Sequence, residues 1–381
     1  MSLAPRDMLA ARLDRLRQAI RETGLDALAV THLPNIFYLS NFAGSAGMVV
    51  VAGPRLYLLA DFRYSAAVAD LTSAGRTPPG FALVDVPGSY DEALAALLAD
   101  VLAGRRVGFE AAHVPVKEHA WLTARLGAAG ESAPHLVAAE GLVERMRLVK
   151  DGHELGLLRE GGRLISEVAR GVLRQVARPG RREREVAADI DHRMRRAGFE
   201  RAAFETIVAS GPNAALPHAR PGDRVLSEGD LVVLDFGGVR GGYCVDLTRT
   251  VALGSPSPEA VRIYRAVAAA QDAALGSVRP GITADRVDAA ARETLAAAGL
   301  GEAFGHSTGH GLGLEVHEDP RVGRLRPEGP PPTVLEAGMV CTIEPGAYVP
   351  GFGGVRLEDD VVVTAAGAEL LTDVPREAQL L

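Results

Sequence analysis

Residues 231–250 read Leu231-Val232-Val233-Leu234-Asp235-Phe236-Gly237-Gly238-Val239-Arg240-Gly241-Gly242-Tyr243-Cys244-Val245-Asp246-Leu247-Thr248-Arg249-Thr250. Four apolar residues run straight into an acid, an odd end for a buried strand, because an unpaired buried carboxylate is costly. The following strand, Gly242 to Thr250, carries Asp246. With the glycine-rich turn Gly237 to Gly242 between them, the two strands are expected to pair as a hairpin with both carboxylates side by side. Two like charges that close repel strongly unless a cation sits between them. A solvated turn and an edge strand would be the bland alternative, but the flanks are too apolar for carboxylates facing water.

Further along the chain the anomaly returns. Val340-Cys341-Thr342-Ile343-Glu344 again ends an apolar strand with an acid, followed by Pro345-Gly346. The next strand, Gly353 to Val363, carries Arg356, Glu358 and Asp360 on one face, with Val355, Leu357 and Val361 on the other. Each of the three polar residues is compatible with a surface position; Glu358 is favoured for a site because it corresponds to Asp246. Other landmarks repeat too. Arg178-Pro179-Gly180 followed by Ala197-Gly198 recurs as Arg279-Pro280-Gly281 followed by Ala298-Gly299, 101 residues later. Glu228-Gly229 precedes the first acidic strand and Ala337-Gly338 the second, with the acid six positions after the glycine in both. Each copy reads as helix, Pro-Gly turn, helix, then strands ending in a carboxylate. Such a duplication predicts two similar halves facing each other across a pseudo-twofold axis, with the matching acids at the centre.

Between the two acidic hairpins lies Gly305-His306-Ser307-Thr308-Gly309-His310-Gly311-Leu312-Gly313-Leu314-Glu315-Val316-His317. A lone histidine is usually a satisfied polar residue, but three in twelve positions among glycines is a different signal. Glycines let the backbone approach a site closely. Four carboxylates and one imidazole make an oxygen-rich ligand set, suited to two hard or borderline divalent ions such as Mn²⁺ rather than to a lone structural Zn²⁺.

The rest of the chain sets the frame. At 381 residues it exceeds what one core usually spans, so two domains are expected. A hydrophobic fraction of 47% and a charged fraction of 23% fit a globular protein rather than a disordered one. A net charge of −7 without a dense basic patch gives no reason to expect nucleic acid. Cys244 and Cys341 sit in apolar runs and read as buried thiols. The charged stretch Met8 to Arg21 is not a signal peptide, and no segment reaches the roughly 18 apolar residues of a membrane span, so a cytoplasmic protein is expected. The first 145 or so residues alternate helix and strand. Helix is expected over Arg12 to Thr23 and Ser89 to Leu102, and strand over Leu28 to Thr31, Met48 to Val51, Leu56 to Ala60 and Arg106 to Phe109.

The ordered series Asp235, Asp246, His310, Glu344, Glu358 resembles the five-ligand signature of the methionine aminopeptidase/prolidase superfamily, the pita-bread metallopeptidases. Within it the chain resembles the Xaa-Pro branch, aminopeptidase P and prolidase. Asn35-Ile36-Phe37-Tyr38-Leu39, Phe42-Ala43-Gly44-Ser45 and Asp61-Phe62-Arg63-Tyr64 are similar to that branch's N-terminal domain, and Arg147 to Glu154 resembles the start of its catalytic domain. The resemblance implies a creatinase/prolidase-like α/β N-terminal domain over 1–147 and a duplicated α+β pita-bread catalytic domain over 148–381.

It also implies roles. Asp235 would chelate one ion, Asp246 and Glu358 would bridge two, and His310 and Glu344 would hold the other. Glu344 would take the proton of the attacking water. His218 would hydrogen-bond substrate, His317 would stabilise the tetrahedral intermediate, and His306 would close the proline side. Arg356 and Tyr348 match positions beside the metals or in the substrate pocket. The implied reaction is hydrolysis of an N-terminal Xaa-Pro bond, with Mn²⁺ foremost and Zn²⁺ or Co²⁺ possible, by a homodimer. Two substrate ranges stay open: longer peptides, as for aminopeptidase P, or dipeptides alone, as for prolidase. Arg321 and Arg356 are the candidates to bind a dipeptide's free carboxylate, Arg321 from a loop. Methionine aminopeptidases normally lack such an N-terminal domain. A catalytically silent peptide-binding module is the remote alternative, and the intact ligand series argues against it.

Overall fold

The computed structural model describes residues 2–175, 178–325 and 328–376. The chain divides into two compact units, Ser2–Arg147 and Leu148–Leu381.

In the first unit six strands form one sheet: β1 (Ala27–Val30), β2 (Met48–Ala52), β3 (Arg55–Ala60), β4 (Phe81–Asp85), β5 (Arg106–Glu110) and β6 (His135–Ala139). Their order is β4-β3-β2-β1-β5-β6. β1 and β5, β5 and β6, and β3 and β4 run parallel, whereas β2 is antiparallel to both neighbours. The connections explain this. Only Gly53-Pro54 links β2 to β3, so they must reverse, while helices Ser65–Ser73 and Val116–Gly127 supply the crossovers parallel strands need. Glu110 ends β5 and accepts the backbone N–H groups of Thr31 and His32 at 2.7 and 2.8 Å, where helix Leu33–Ser40 begins. A carboxylate is favourable at a helix N-terminus. Buried Asn35 donates to Glu110 at 2.7 Å and accepts from Arg147 at 2.8 Å. The Asn35–Leu39 motif therefore earns its place by satisfying that buried acid.

The second unit repeats its elements. Helices Gly152–Gln175 and Glu183–Arg196 are followed by β7 (Arg201–Ala202), β8 (Ile207–Ser210), β9 (Leu231–Arg240) and β10 (Tyr243–Ala252). Helices Pro258–Ser277 and Ala284–Ala297 are followed by β11 (Gly309–Gly311), β12 (Glu318–Val322), β13 (Val340–Ile343), β14 (Gly346–Val349), β15 (Gly353–Arg356), β16 (Asp359–Thr364) and β17 (Gly367–Leu370). The glycines that mark the sequence repeat are left-handed in both halves: Gly180 and Gly281 (φ 87° and 84°), and Gly229 and Gly338 (φ 86° and 94°). A side chain rarely adopts that conformation, so these turns hold their residue type. Even single bridges match, Arg182 with Val225 and Thr283 with Val334. The fold is that of the duplicated pita-bread catalytic domain.

Two expectations need correction. β9 does not stop at Asp235 but continues through Gly237 and Gly238 to Arg240, and the hairpin turn is Gly241-Gly242 alone, both left-handed. Two-residue turns of that hand match the twist of paired strands. The stretch Gly353 to Val363 is two strands rather than one. β15 pairs with β14 and β16 with β13 and β17, and the break at Leu357-Glu358 is stitched to β10 by a Glu358 N–H bond to Thr248 O at 3.1 Å. Alternation survives the break. Val355, Leu357 and Val361 are wholly buried in an apolar core with Ile263, Val267, Val287, Leu295, Cys341 and Ile343. Each such side chain contributes about 1.5–3 kcal/mol by leaving water. That packing commits Arg356, Glu358 and Asp360 to the opposite side. All three are buried, not at the surface. Both cysteines are buried and free.

Candidate metal centre

In the first hairpin Asp246 lies opposite Gly237, and Thr248 lies opposite Asp235. The two acids thus share one face on a diagonal, rather than directly side by side. From the other half, Glu358 reaches the same place. Ligand atoms of Asp246, Glu358 and His310 all lie within 4.8 Å of one another. Asp235 and Glu344 stand beside this group, and the Glu344 carboxylate approaches His310 Nε2 at 3.6 Å.

His310 is held by its neighbours. A Cβ on Gly309 would meet Thr342 O at 1.9 Å, and one on Gly311 would meet Asp319 O at 2.1 Å, so β11 fits against β13 and β12 only with glycine on both sides. The ring's Nδ1 donates to Gly311 O at 3.0 Å, which fixes the tautomer and turns the Nε2 lone pair toward the acids. The Thr342 hydroxyl accepts the His310 N–H at 3.1 Å. Just past β13, the Glu344 N–H donates to Thr308 O at 2.7 Å.

Arg356 is the hub. It donates through Nη2 to Asp235 Oδ2, through Nη1 to Tyr348 Oη at 2.9 Å and Pro217 O at 3.2 Å, and through Nε to the Thr248 hydroxyl at 3.2 Å. Thr248 in turn donates to Glu358 Oε2 at 2.6 Å. Tyr348 donates to His306 Nε2 at 2.8 Å, and His306 Nδ1 donates to Ser307 O at 2.7 Å. Four of the five guanidinium N–H groups are therefore spent on the protein itself. Such an arginine orients the site rather than waiting for a ligand. Sequence reasoning passed over Thr248, although the two-residue period from Asp246 puts it on the site face. It also gave no role to Asp360, whose Oδ2 accepts the backbone N–H of Asp246 at 2.9 Å.

The electrostatics are those of a crowded, dry acid cluster. Burial first, then Glu358 and its neighbours, drive the Asp246 carboxyl well above its usual range; Glu344 is raised by burial and Glu358 likewise. Glu358 itself is pushed up to about 8 by burial and the charge of Asp235. Burial also holds His310 and His306 neutral, down at about 4. Among the described residues, Asp235 Oδ1 and Glu358 Oε1 are buried with no hydrogen-bond partner.

Around this cluster stand the other residues of interest. His317 is exposed, its ring edge-on to His310 with centroids 4.4 Å apart. His218 is exposed and near enough to His317 and His306 to disfavour their protonation. Arg321 lies in strand β12, not in a loop, and is exposed, its Nε donating to Ser307 Oγ at 3.1 Å beside His306. β12 pairs with β11 only at Glu318 and Val322, and the register shifts between those two points, so Asp319-Pro320-Arg321 bulges within the strand.

Residues 156–365 match the model of metallopeptidase family M24, and residues 12–149 match the creatinase/prolidase N-terminal domain. The chain belongs to metallopeptidase family M24. The peptidase YqhT of Bacillus subtilis is 37% identical over 97% of this chain and 100% of its own length. Among solved structures, the Xaa-Pro dipeptidase from Bacillus anthracis superposes with a TM-score of 0.87 at 36% identity, covering 97% of this chain and 98% of that one. The X-Pro aminopeptidase from Thermotoga maritima superposes with a TM-score of 0.82 at 33% identity, covering 96% and 98%. Divalent ions are the family's catalytic cofactor, and this chain's residues fit them. The buried partnerless oxygens of Asp235 and Glu358, the free Nε2 of His310 and the mutual repulsion of the acids all call for cations. The M24 member has an oxygen-rich donor set, of the kind hard and borderline divalent ions prefer. Among the described residues no helix is long and apolar enough to cross a membrane.

Proposed function

We propose that this metallopeptidase hydrolyses the N-terminal peptide bond preceding a proline, using two divalent ions, with Mn²⁺ the first choice and Zn²⁺ or Co²⁺ as substitutes. The observation that carries the reading is the convergence of Asp246, His310 and Glu358 beside the partnerless oxygens of Asp235 and Glu358. In this reading Asp235 would hold one ion and His310 with Glu344 the other, and Asp246 and Glu358 would contribute to both. When bound, such a pair acidifies water and polarises the substrate carbonyl. Glu344 accepts the proton released as the water attacks. His317 donates to the oxygen on which negative charge develops, and His218 hydrogen-bonds the substrate. His306, braced by Tyr348, closes the proline side, and Arg356 keeps Asp235 and Tyr348 in place. An Xaa-Pro amide lacks an N–H, so an enzyme that grips free amine, carbonyl and ring has no need of the backbone donor that most peptidases read.

The same proposal takes residues 1–147 as the N-terminal domain and 148–381 as the catalytic domain of a cytoplasmic homodimer. Support for proline comes from the names of the Bacillus anthracis and Thermotoga maritima relatives, which differ over substrate length. One observation favours a second reading, action on dipeptides alone. Arg321 reaches Ser307 through Nε, and its terminal amino groups have no protein partner among the described residues. Such a guanidinium suits the carboxylate of a dipeptide. Turnover of Xaa-Pro dipeptides against Xaa-Pro-Xaa tripeptides separates the two, and Arg321→Ala should raise the Michaelis constant more for the dipeptides. An equal effect on both, or none, removes Arg321 as the carboxylate clamp and leaves the aminopeptidase reading.

A further inference from the structure

Asp288 and Arg292 stand one turn apart on helix Ala284–Ala297, outside the acid cluster. Asp288 is wholly buried, and it is matched on every side. Its Oδ1 accepts the backbone N–H of Thr308 at 3.0 Å, the Thr308 hydroxyl at 2.9 Å and Arg292 Nη2 at 2.9 Å, while Oδ2 accepts Arg292 Nε at 2.5 Å. The outer edge of the same guanidinium turns to the loop. Nη1 donates to Phe304 O at 3.1 Å and Nη2 donates to His306 O. The guanidinium also lies over the Phe304 ring, 4.3 Å from its centroid, and that ring meets His306 edge-on at 5.0 Å.

Arg292 thus constrains His306 from two directions, through its carbonyl and through the Phe304 ring. The imidazole's remaining freedom is taken up by Ser307 O and Tyr348 Oη. A planar fork can serve a carboxylate and two carbonyls at once, and a lysine cannot. We propose that Asp288 and Arg292 are positioning residues which fix the His306 ring and thereby set how tightly the enzyme holds its substrate, an assignment that rests on the substrate-side reading of His306. Neither residue touches the reacting atoms. Their influence runs through residues 304–308.

The test compares Arg292→Lys, His306→Ala and the double variant, with Thr308→Val as a milder change should the lysine variant fold poorly. Displacing a positioned group by about 1 Å can cost on the order of 100-fold, so Arg292→Lys should raise the Michaelis constant for an Xaa-Pro peptide by about tenfold or more. Turnover number and bound metal should change little. The double variant should be no worse than His306→Ala, because Arg292 acts through that ring. Independently of activity, ¹⁵N spectra of the Zn²⁺-loaded chain should show His306 with a protonated Nδ1, and a mixed tautomer in Arg292→Lys or Thr308→Val. Unchanged His306 signals in both variants, or losses that add in the double variant, would overturn the positioning role. If the parent chain cleaves no proline peptide, the functional reading fails, and the spectra still decide the positioning question.

Discussion

Arg356 donates through Nη2 to Asp235 Oδ2, joining the two acidic hairpins across 121 residues of sequence. Asp235 belongs to the first half of the duplication and Arg356 to the second, so this pair ties the halves together where the acids converge. Both groups are buried. Removing one partner of a buried pair typically costs about 3–5 kcal/mol, because the other charge is left unmatched. Arg356→Met should therefore lower the thermal midpoint strongly and also release Tyr348 and His306. Arg356→Lys should recover part of the stability but little activity, since an ammonium cannot serve Asp235, Tyr348 and Thr248 together. Calorimetry with kinetics on the two variants checks this.

The raised carboxyls make a pH prediction with a definite sign. Groups held above their unfolded values stabilise the metal-free chain at low pH, and that stability is lost as pH rises through the folded value. Glu358 is raised from 4.5 to about 8, and Asp246 and Glu344 are raised with it. The buried histidines act in the opposite sense, but only below their ordinary value of 6.5. The decisive window is thus from 6.5 to about 8, where the metal-free chain should lose stability with rising pH. Divalent ions displace those protons. Adding Mn²⁺ should abolish the fall and release protons, which thermal scans and calorimetry in buffers of different ionisation enthalpy would detect.

Asp246 and Asp360 offer a matched pair of substitutions. Asp246→Asn should strip the chain of metal and activity. Asp360→Asn should be milder, because an amide oxygen can still accept the Asp246 N–H now bound at 2.9 Å. Elemental analysis of both proteins is the measurement, and equal metal loss would contradict the division of roles.

His317 and His310 should separate in the same way. His317→Ala should keep its metal and lose about 10²–10³ in turnover, the usual cost of one donor to a developing oxyanion. His310→Ala should lose metal outright. Metal content beside turnover number tells them apart.

Much of this was legible because burial punishes anomalies. Asp235 and Glu344 each follow a buried apolar run, a placement that makes sense only with a counter-charge, and the left-handed glycines that repeat with them mark the duplication. Alternation assigned Arg356, Glu358 and Asp360 to one side correctly, since Val355, Leu357 and Val361 commit the other to the core. What stayed illegible depended on partners distant in sequence. Nothing local says that Leu357-Glu358 breaks the strand, because the break exists to let the Glu358 N–H reach Thr248. Arg321 looks like a loop residue after Asp319-Pro320, and only the pairing of Glu318 and Val322 with β11 places it within a strand. The Asp288–Arg292 spacing is that of any surface ion pair, and its burial against Thr308 and Phe304 is a tertiary fact.

The central claim is metal-dependent cleavage before proline, and one assay addresses it directly. Initial rates of the Mn²⁺-loaded chain should be measured on Ala-Pro and Ala-Pro-Ala against Ala-Ala and Ala-Ala-Ala, before and after chelation. The account predicts turnover of at least one proline peptide, little or none of the alanine controls, and loss of activity on chelation with recovery on adding Mn²⁺. Equal turnover of the alanine peptides, or proline-peptide cleavage that survives complete metal removal, would contradict it.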